Sequence, residues 1–124
     1  MYQTKIKGDR LYHALSSGYG ESVETFGFVE DGETPMSLLV IALSSCMTMC
    51  VQGYYKRMYD LEVFDMEVLA SYNEDIFNLT VKLPAQLLSQ TDQEDLRAYA
   101  NRHCRVKRLL REDVRVSMSF EGGI

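Results

Sequence analysis

TPMSLLVIALSSCMTMCVQGYY, residues 34–55, carries no charged side chain, although 25% of the chain is Asp, Glu, Lys or Arg. Its opening specifies a helix. Thr34 can cap the first free N–H groups, and Pro35 at the first helical position has no N–H to leave unpaired. Leu38, Leu39, Ile41, Ala42, Ser45, Cys46, Met49 and Cys50 then recur at helical spacing, while Val40, Leu43 and Met47 make the remaining sides apolar too. The pattern predicts a central helix covered all round, ending between Tyr55 and Met58 with Lys56 and Arg57 at its negative end. About twenty uncharged residues could also cross a bilayer. Ser37, Ser44, Ser45, Thr48 and Gln52 inside the window, and the lack of a second such stretch, point instead to a core helix and to no membrane partner. A small chain seldom wraps a helix on every side alone, so a second copy is expected.

The 124 residues fit a single domain, 1–124. The net charge is −5, and the densest basic cluster, Arg102 to Arg111, alternates with apolar residues, which excludes a nucleic-acid partner on electrostatic grounds. Met1-Tyr-Gln-Thr-Lys has neither the apolar run of a secretory signal nor an Arg-rich transit pattern, so a cytoplasmic protein is expected. Three widely spaced cysteines do not form a secreted disulfide framework. In a reducing compartment they are packed apolar residues or redox groups.

On either side of the helix the period changes. Tyr2–Lys7 and Arg10–Leu15 alternate crudely about Gly8-Asp9 and predict a hairpin, and Val23–Val29 predicts a third strand before the acidic loop Glu30–Glu33. After the helix, Phe64, Met66, Val68 and Ala70 alternate with Asp65, Glu67, Leu69 and Ser71. Asn73-Glu74-Asp75 makes a turn, and Phe77, Leu79, Val81 and Leu83 alternate again up to Pro84. Thr91-Asp92-Gln93-Glu94 fits a capping box, and Leu96, Tyr99, Ala100 and His103 give a second, amphipathic helix. A short helical turn from Val106 to Leu110 and a last strand from Val114 to Phe120 complete the chain. The order predicts an α+β domain in which mainly antiparallel β-sheets pack against a long central helix and a second helix.

Little chemistry survives inspection of the motifs. His13 and His103 are isolated, no cysteine has metal-ligand spacing, and there is neither a glycine-rich phosphate loop nor a Gly-x-Ser-x-Gly elbow, so no metal and no cofactor are expected. The cysteines remain. Cys46 and Cys50 in the central helix read either as packed apolar side chains or as nucleophiles. A bridge between them would strain the helix, because an i, i+4 pair points in nearly parallel directions. Cys104 lies in NRHCRVKR, where a helix start and nearby cations both favour a thiolate.

These segments together resemble a known family. A helix entered through proline and running LL…AL-S-C, then two strands, a helix ending in A…HC-V…L and a final strand, is similar over Thr34 to Phe120 to the OsmC/Ohr thiol-dependent hydroperoxide reductases. The resemblance implies an intertwined homodimer whose two central helices pack between sheets built from both chains. It also implies that Cys46 is the peroxidatic cysteine, attacking an organic hydroperoxide as thiolate, and that Cys104 is the resolving cysteine, the resulting disulfide being reduced by an external dithiol. The family's activating arginine comes from the N-terminal region, where Arg10 is the only arginine before Cys46.

Two positions depart from the pattern. The family's peroxidases carry a glutamate after the helix-opening proline; here Pro35 is followed by Met36, whose thioether neither accepts a salt bridge nor shuttles a proton. The usual His-Cys-Pro is His103-Cys104-Arg105. The resemblance therefore leaves room for a non-catalytic relative that binds a small hydrophobic ligand or senses oxidants, and for a purely structural domain with inert thiols.

Overall fold

The long helix forms where the uncharged stretch begins. In the computed structural model, which describes residues 1–124, helix α1 spans Pro35–Tyr59. Thr34 and Ser37 cap it reciprocally: the Ser37 N–H donates to Thr34 Oγ1 at 3.1 Å and the Thr34 N–H donates to Ser37 Oγ at 2.7 Å. This is a capping box with serine in the glutamate's place.

The chain divides into two compact units, residues 1–39 and 40–124, with the boundary inside α1. In the first, β1 (Lys5–Lys7), β2 (His13–Ser17) and β3 (Glu24–Phe26) form an antiparallel sheet in chain order. The expected hairpin is present, but its connection is longer than Gly8-Asp9. Lys7 pairs with Leu15, and the chain from Gly8 to Tyr12 turns through a left-handed residue, Tyr12, at φ 56°. The Tyr12 ring sits edge-on to Phe28, and its carbonyl accepts from the Gly27 N–H at 3.0 Å. A Cβ on Gly27 would lie 2.7 Å from that of Tyr12, so only glycine fits there.

In the second unit, β4 (Glu67–Asn73), β5 (Ile76–Lys82) and β6 (Arg115–Glu121) form one sheet in the order β4-β5-β6. The β4–β5 hairpin closes on Glu74-Asp75, both with positive φ (49° and 63°), the signature of a tight primed turn built here without glycine. The sheets are mainly antiparallel, as expected, with one parallel pairing that the sequence did not indicate: β6 pairs with β5, Ile76 opposite Arg115 through Lys82 opposite Glu121. The connection from Pro84 to Val114 explains it. It holds a turn of 3-10 helix (Ala85–Leu87), α2 (Gln90–His103) and α3 (Arg105–Leu109), long enough to return the chain to the end of the sheet from which β5 starts.

The core lies between this sheet and the second half of α1. Val51, Tyr54, Tyr55, Val81, Leu83 and Leu96 are buried together, each aliphatic member contributing about 1.5–3 kcal/mol of burial. The predicted cap of α2 shifts by two residues: Ser89, not Thr91, accepts from the Asp92 N–H at 3.1 Å. Asp92 is itself buried, and its carboxylate accepts from Tyr54 (2.7 Å), Tyr59 (2.8 Å) and Ser89 (2.7 Å) hydroxyls. The expectation that α1 is covered all round fails within one chain. Leu43, Met47, Cys50, Val51, Tyr54 and Tyr55 are buried along one face, whereas Ile41 and Met49 stand 48% and 67% exposed. By length and composition α1 could also span a membrane.

Candidate active site: a cluster of thiols

Cys46 projects from the middle of α1 on its half-buried side, and Cys50 follows one turn later, buried. Cys104 reaches them from the other side. It is the extended residue that ends α2 and opens α3, with its N–H bonded to the Ala100 carbonyl and its sulfur accepting from the Lys107 N–H at 3.4 Å. Its side chain is completely buried. The break between α2 and α3 at this residue places the Val106 and Arg105 N–H groups where they favour a charge on the Cys46 sulfur. All three thiols lie within interacting reach of one another, and all are free.

The electrostatics separate them. Burial alone would push the Cys46 thiol up, but the Val106 N–H, the Cys104 thiol, the Arg105 N–H and the Cys50 thiol together pull it below the ordinary thiol value. Each of these donors stabilises the charged sulfur more than the neutral one. Cys104 moves the other way, to about 11, because burial dominates and a thiolate at Cys46 repels a second charge. Cys50 is pushed further, to about 12, by burial and by both neighbouring sulfurs. The first negative charge in the cluster therefore belongs to Cys46.

This reverses one sequence expectation. The helix start after Cys104 was expected to favour a thiolate on Cys104 itself. Its N–H groups serve Cys46 more, because Cys104 lies fully inside the protein and pays the full desolvation of a charge. The neighbouring His103 packs its ring at a tilt against Tyr99, ring centres 4.3 Å apart.

Arg10 stands in the first unit, exposed, with its guanidinium paired to Asp9 at 3.2 Å. The same Asp9 accepts from His13 (2.9 Å), whose other ring nitrogen meets Glu24 at 2.6 Å. The Glu24 and Asp9 carboxylates hold the His13 imidazole above its usual value despite its burial. Met36 is exposed at the start of α1, and Ser37 beside it bonds Glu33 at 3.5 Å. The sequence left the part of Cys50 open, and its contact with both other sulfurs is a product of tertiary packing. The one legible hint was its i+4 spacing from Cys46.

Comparison with known proteins bears on the fold and the family. The family profile described as OsmC-like protein matches residues 29–119. The chain belongs to the OsmC-like family. No curated protein sequence matches it. Among solved structures, a hypothetical protein from Aquifex aeolicus superposes with a TM-score of 0.80 at 14% identity, covering 99% of this chain and 96% of that one. The OsmC-like protein from Mycoplasma pneumoniae gives 0.76 at 11% identity, with 100% and 98% covered. The organic hydroperoxide resistance protein OhrB of Bacillus subtilis gives 0.67 at 16% identity, with 98% of each chain covered. At these identities the likeness establishes the OsmC-like fold.

Proposed function

We propose that this OsmC-like protein is a thiol-dependent hydroperoxide reductase. The observation that carries the reading is the divided thiol cluster: one sulfur, Cys46, held toward the thiolate by backbone N–H groups, with a protonated sulfur, Cys104, beside it. In the reaction the Cys46 thiolate attacks the terminal oxygen of ROOH. The O–O bond breaks, Cys46 becomes a sulfenic acid, and the departing alkoxide takes a proton from solvent to give ROH. The Cys104 thiol then displaces water from the sulfenic acid, forming a Cys46–Cys104 disulfide, and an external dithiol returns both to thiols while becoming a disulfide itself. No residue of the first unit is required for these electron transfers.

The exposed apolar stripe of α1 supports a homodimer in which a second copy covers Ile41 and Met49. Ser44, Ser45, Thr48 and Gln52 share that open side, which suits a water-soluble cytoplasmic dimer better than contact with lipid. A second reading has its own observation. A groove of about 530 Å³ between α1 and β4, lined by Val40, Ile41, Met49, Met66 and Val68, could hold a small hydrophobic ligand without catalysis.

The deciding experiment treats the reduced protein with one equivalent of an organic hydroperoxide and maps disulfides by mass spectrometry, then measures dithiol-dependent turnover. A rapid Cys46–Cys104 bond and turnover that disappears in Cys46→Ser are expected. Thiols that stay reduced, or oxidise slowly and at random, would leave the ligand-binding reading. Alkylation of Cys46 is expected to titrate below the pH of an ordinary thiol, with Cys104 and Cys50 unreactive until the protein is denatured.

A further inference from the structure

Cys50 is a buried nucleophile for which the reaction above has no use. It sits one helical turn beyond Cys46 and interacts with both other thiols. Cys104 is the shared neighbour, reaching both sulfurs of α1 from the α2–α3 junction. Cys46 and Cys50 leave α1 in nearly parallel directions and cannot bridge without straining the helix, whereas Cys104 belongs to a different element and lies near both. The cluster is thus two donors on one helix with a single partner.

Taking its oxidant from the hydroperoxide reductase reading, we infer that Cys50 is a second exchange partner for Cys104, so that without reductant the Cys46–Cys104 disulfide passes to Cys50–Cys104 and Cys46 is returned as a thiolate. Cys50 loses its proton and its sulfur attacks the Cys104 sulfur. The Cys50–Cys104 bond forms as the Cys46–Cys104 bond breaks, and the electron pair leaves on Cys46. Cys50 is oxidised by as much as Cys46 is reduced, and one proton is released. Attack at the Cys46 sulfur is disfavoured because its product is the strained i, i+4 bridge. The direction follows from the leaving group: the Arg105 and Val106 N–H groups stabilise the charge on Cys46, and a sulfur that carries charge easily leaves easily.

A released Cys46 can meet a second hydroperoxide. Its sulfenic acid then finds no free thiol on its own chain and stays open to a small external thiol. The chain consumes two equivalents of oxidant instead of one. The exchange is slow beside the first bond, because burial and the neighbouring sulfurs keep Cys50 protonated, and its rate is expected to rise about tenfold per pH unit in the neutral to mildly alkaline range. It needs no access from solvent, so a dimer partner covering α1 does not prevent it.

The test oxidises the reduced full-length protein in two parallel arms, with excess organic hydroperoxide and with the dithiol oxidant diamide. Samples are quenched in acid over time and their disulfides mapped, with a sulfenic acid trap present in the first arm. Cys46–Cys104 is expected first and Cys50–Cys104 later in both arms, with two equivalents of hydroperoxide consumed and the trap on Cys46. Cys50→Ser, and Cys50→Ala in case the hydroxyl disturbs the packing, should stop at Cys46–Cys104 and one equivalent. A wild-type protein that stops there, with Cys50 still alkylated after denaturation, overturns the inference and leaves the reductase reading intact. Cys50–Cys104 formed by diamide with no reaction toward hydroperoxide does the reverse. No disulfide in either arm overturns both.

Discussion

The two halves of α1 that lie in the second unit differ in composition, aliphatic, hydroxyl and thiol side chains in the first and tyrosines and cations in the second, and they end in different states. From Val51 to Tyr59 the helix is finished: Val51, Tyr54 and Tyr55 are buried, the Tyr54 and Tyr59 hydroxyls both reach Asp92, and the Tyr55 hydroxyl donates to the Leu87 carbonyl. From Val40 to Cys50 one face is buried through Leu43 and Met47 and the opposite face is open. Ser44 and Thr48 spend their hydroxyls on carbonyls of their own helix, at 2.7 and 2.8 Å, Ile41 and Met49 face outward, and the thiols lie near one another and near the start of α3. Satisfied polar groups in a packed setting hold a fold, and a reactive sulfur needs an approachable setting with donors waiting for charge. One helix supplies both by turning from a core to an edge along its length.

The sharpest way to break this comparison is to exchange the consequences of mutation between the halves. Cys46→Ser is expected to remove dithiol-dependent hydroperoxide turnover by at least about 10³-fold, equivalent to about 4 kcal/mol of barrier, while the thermal midpoint stays within a degree or two. Asp92→Ala should do the opposite. It strands the Tyr54 hydroxyl in the core and removes three hydrogen bonds to a carboxylate, so urea denaturation should show a loss of about 3 kcal/mol with turnover per folded molecule retained. Turnover lost in Asp92→Ala at full folding would show that the two halves are not separable.

Asp92 also makes the comparison depend on pH. Burial pushes its carboxyl up, but the Tyr54, Ser89 and Tyr59 hydroxyls outweigh burial and hold it below the usual carboxylate value. A depressed folded value means that this stability is present above the unfolded pKa and is lost as pH falls through the folded one. Acid unfolding of Asp92→Asn should therefore be flatter than that of the wild type below about pH 4.

What could be read from the chain divides along the same line. The helix was legible because Thr34-Pro35 starts it and no charge interrupts it, and the β4–β5 hairpin because the turn Asn73-Glu74-Asp75 is followed by a clean alternation from Phe77 to Leu83. Alternation fixes which face of β6 is apolar and says nothing of its direction, so the parallel pairing was invisible. Asp92 was legible only as a member of a capping box, since the two tyrosines that bond it lie 33 and 38 residues away in sequence. The pairing of Cys46 with Cys104 came from family likeness. That the α3 N–H groups favour Cys46 over Cys104 depends on which sulfur is buried, a property only the folded chain has.

The open half gives the next effect in size. If a second copy covers it, Met49→Asp places a charge against an apolar partner surface and should weaken association by about 2 kcal/mol, read as a shift toward monomer in sedimentation at micromolar concentration. An unchanged sedimentation coefficient would mean that the exposed stripe is not the interface.

The smallest effect is the most discriminating for the finished half. Tyr59 is more than half exposed, yet its hydroxyl lies 2.8 Å from the buried Asp92 carboxylate. Tyr59→Phe removes one donor of three, and the carboxylate keeps Tyr54 and Ser89, so nothing is left bare. The loss should be about 1 kcal/mol, the net value of one hydrogen bond whose donor was already near water. In the Asp92→Asn background the same change should cost less, because the charge that made the bond strong is gone. Equal losses in both backgrounds would mean that Tyr59 contributes through its ring, stacked on Tyr55, and that the carboxylate is held by its two inner partners alone.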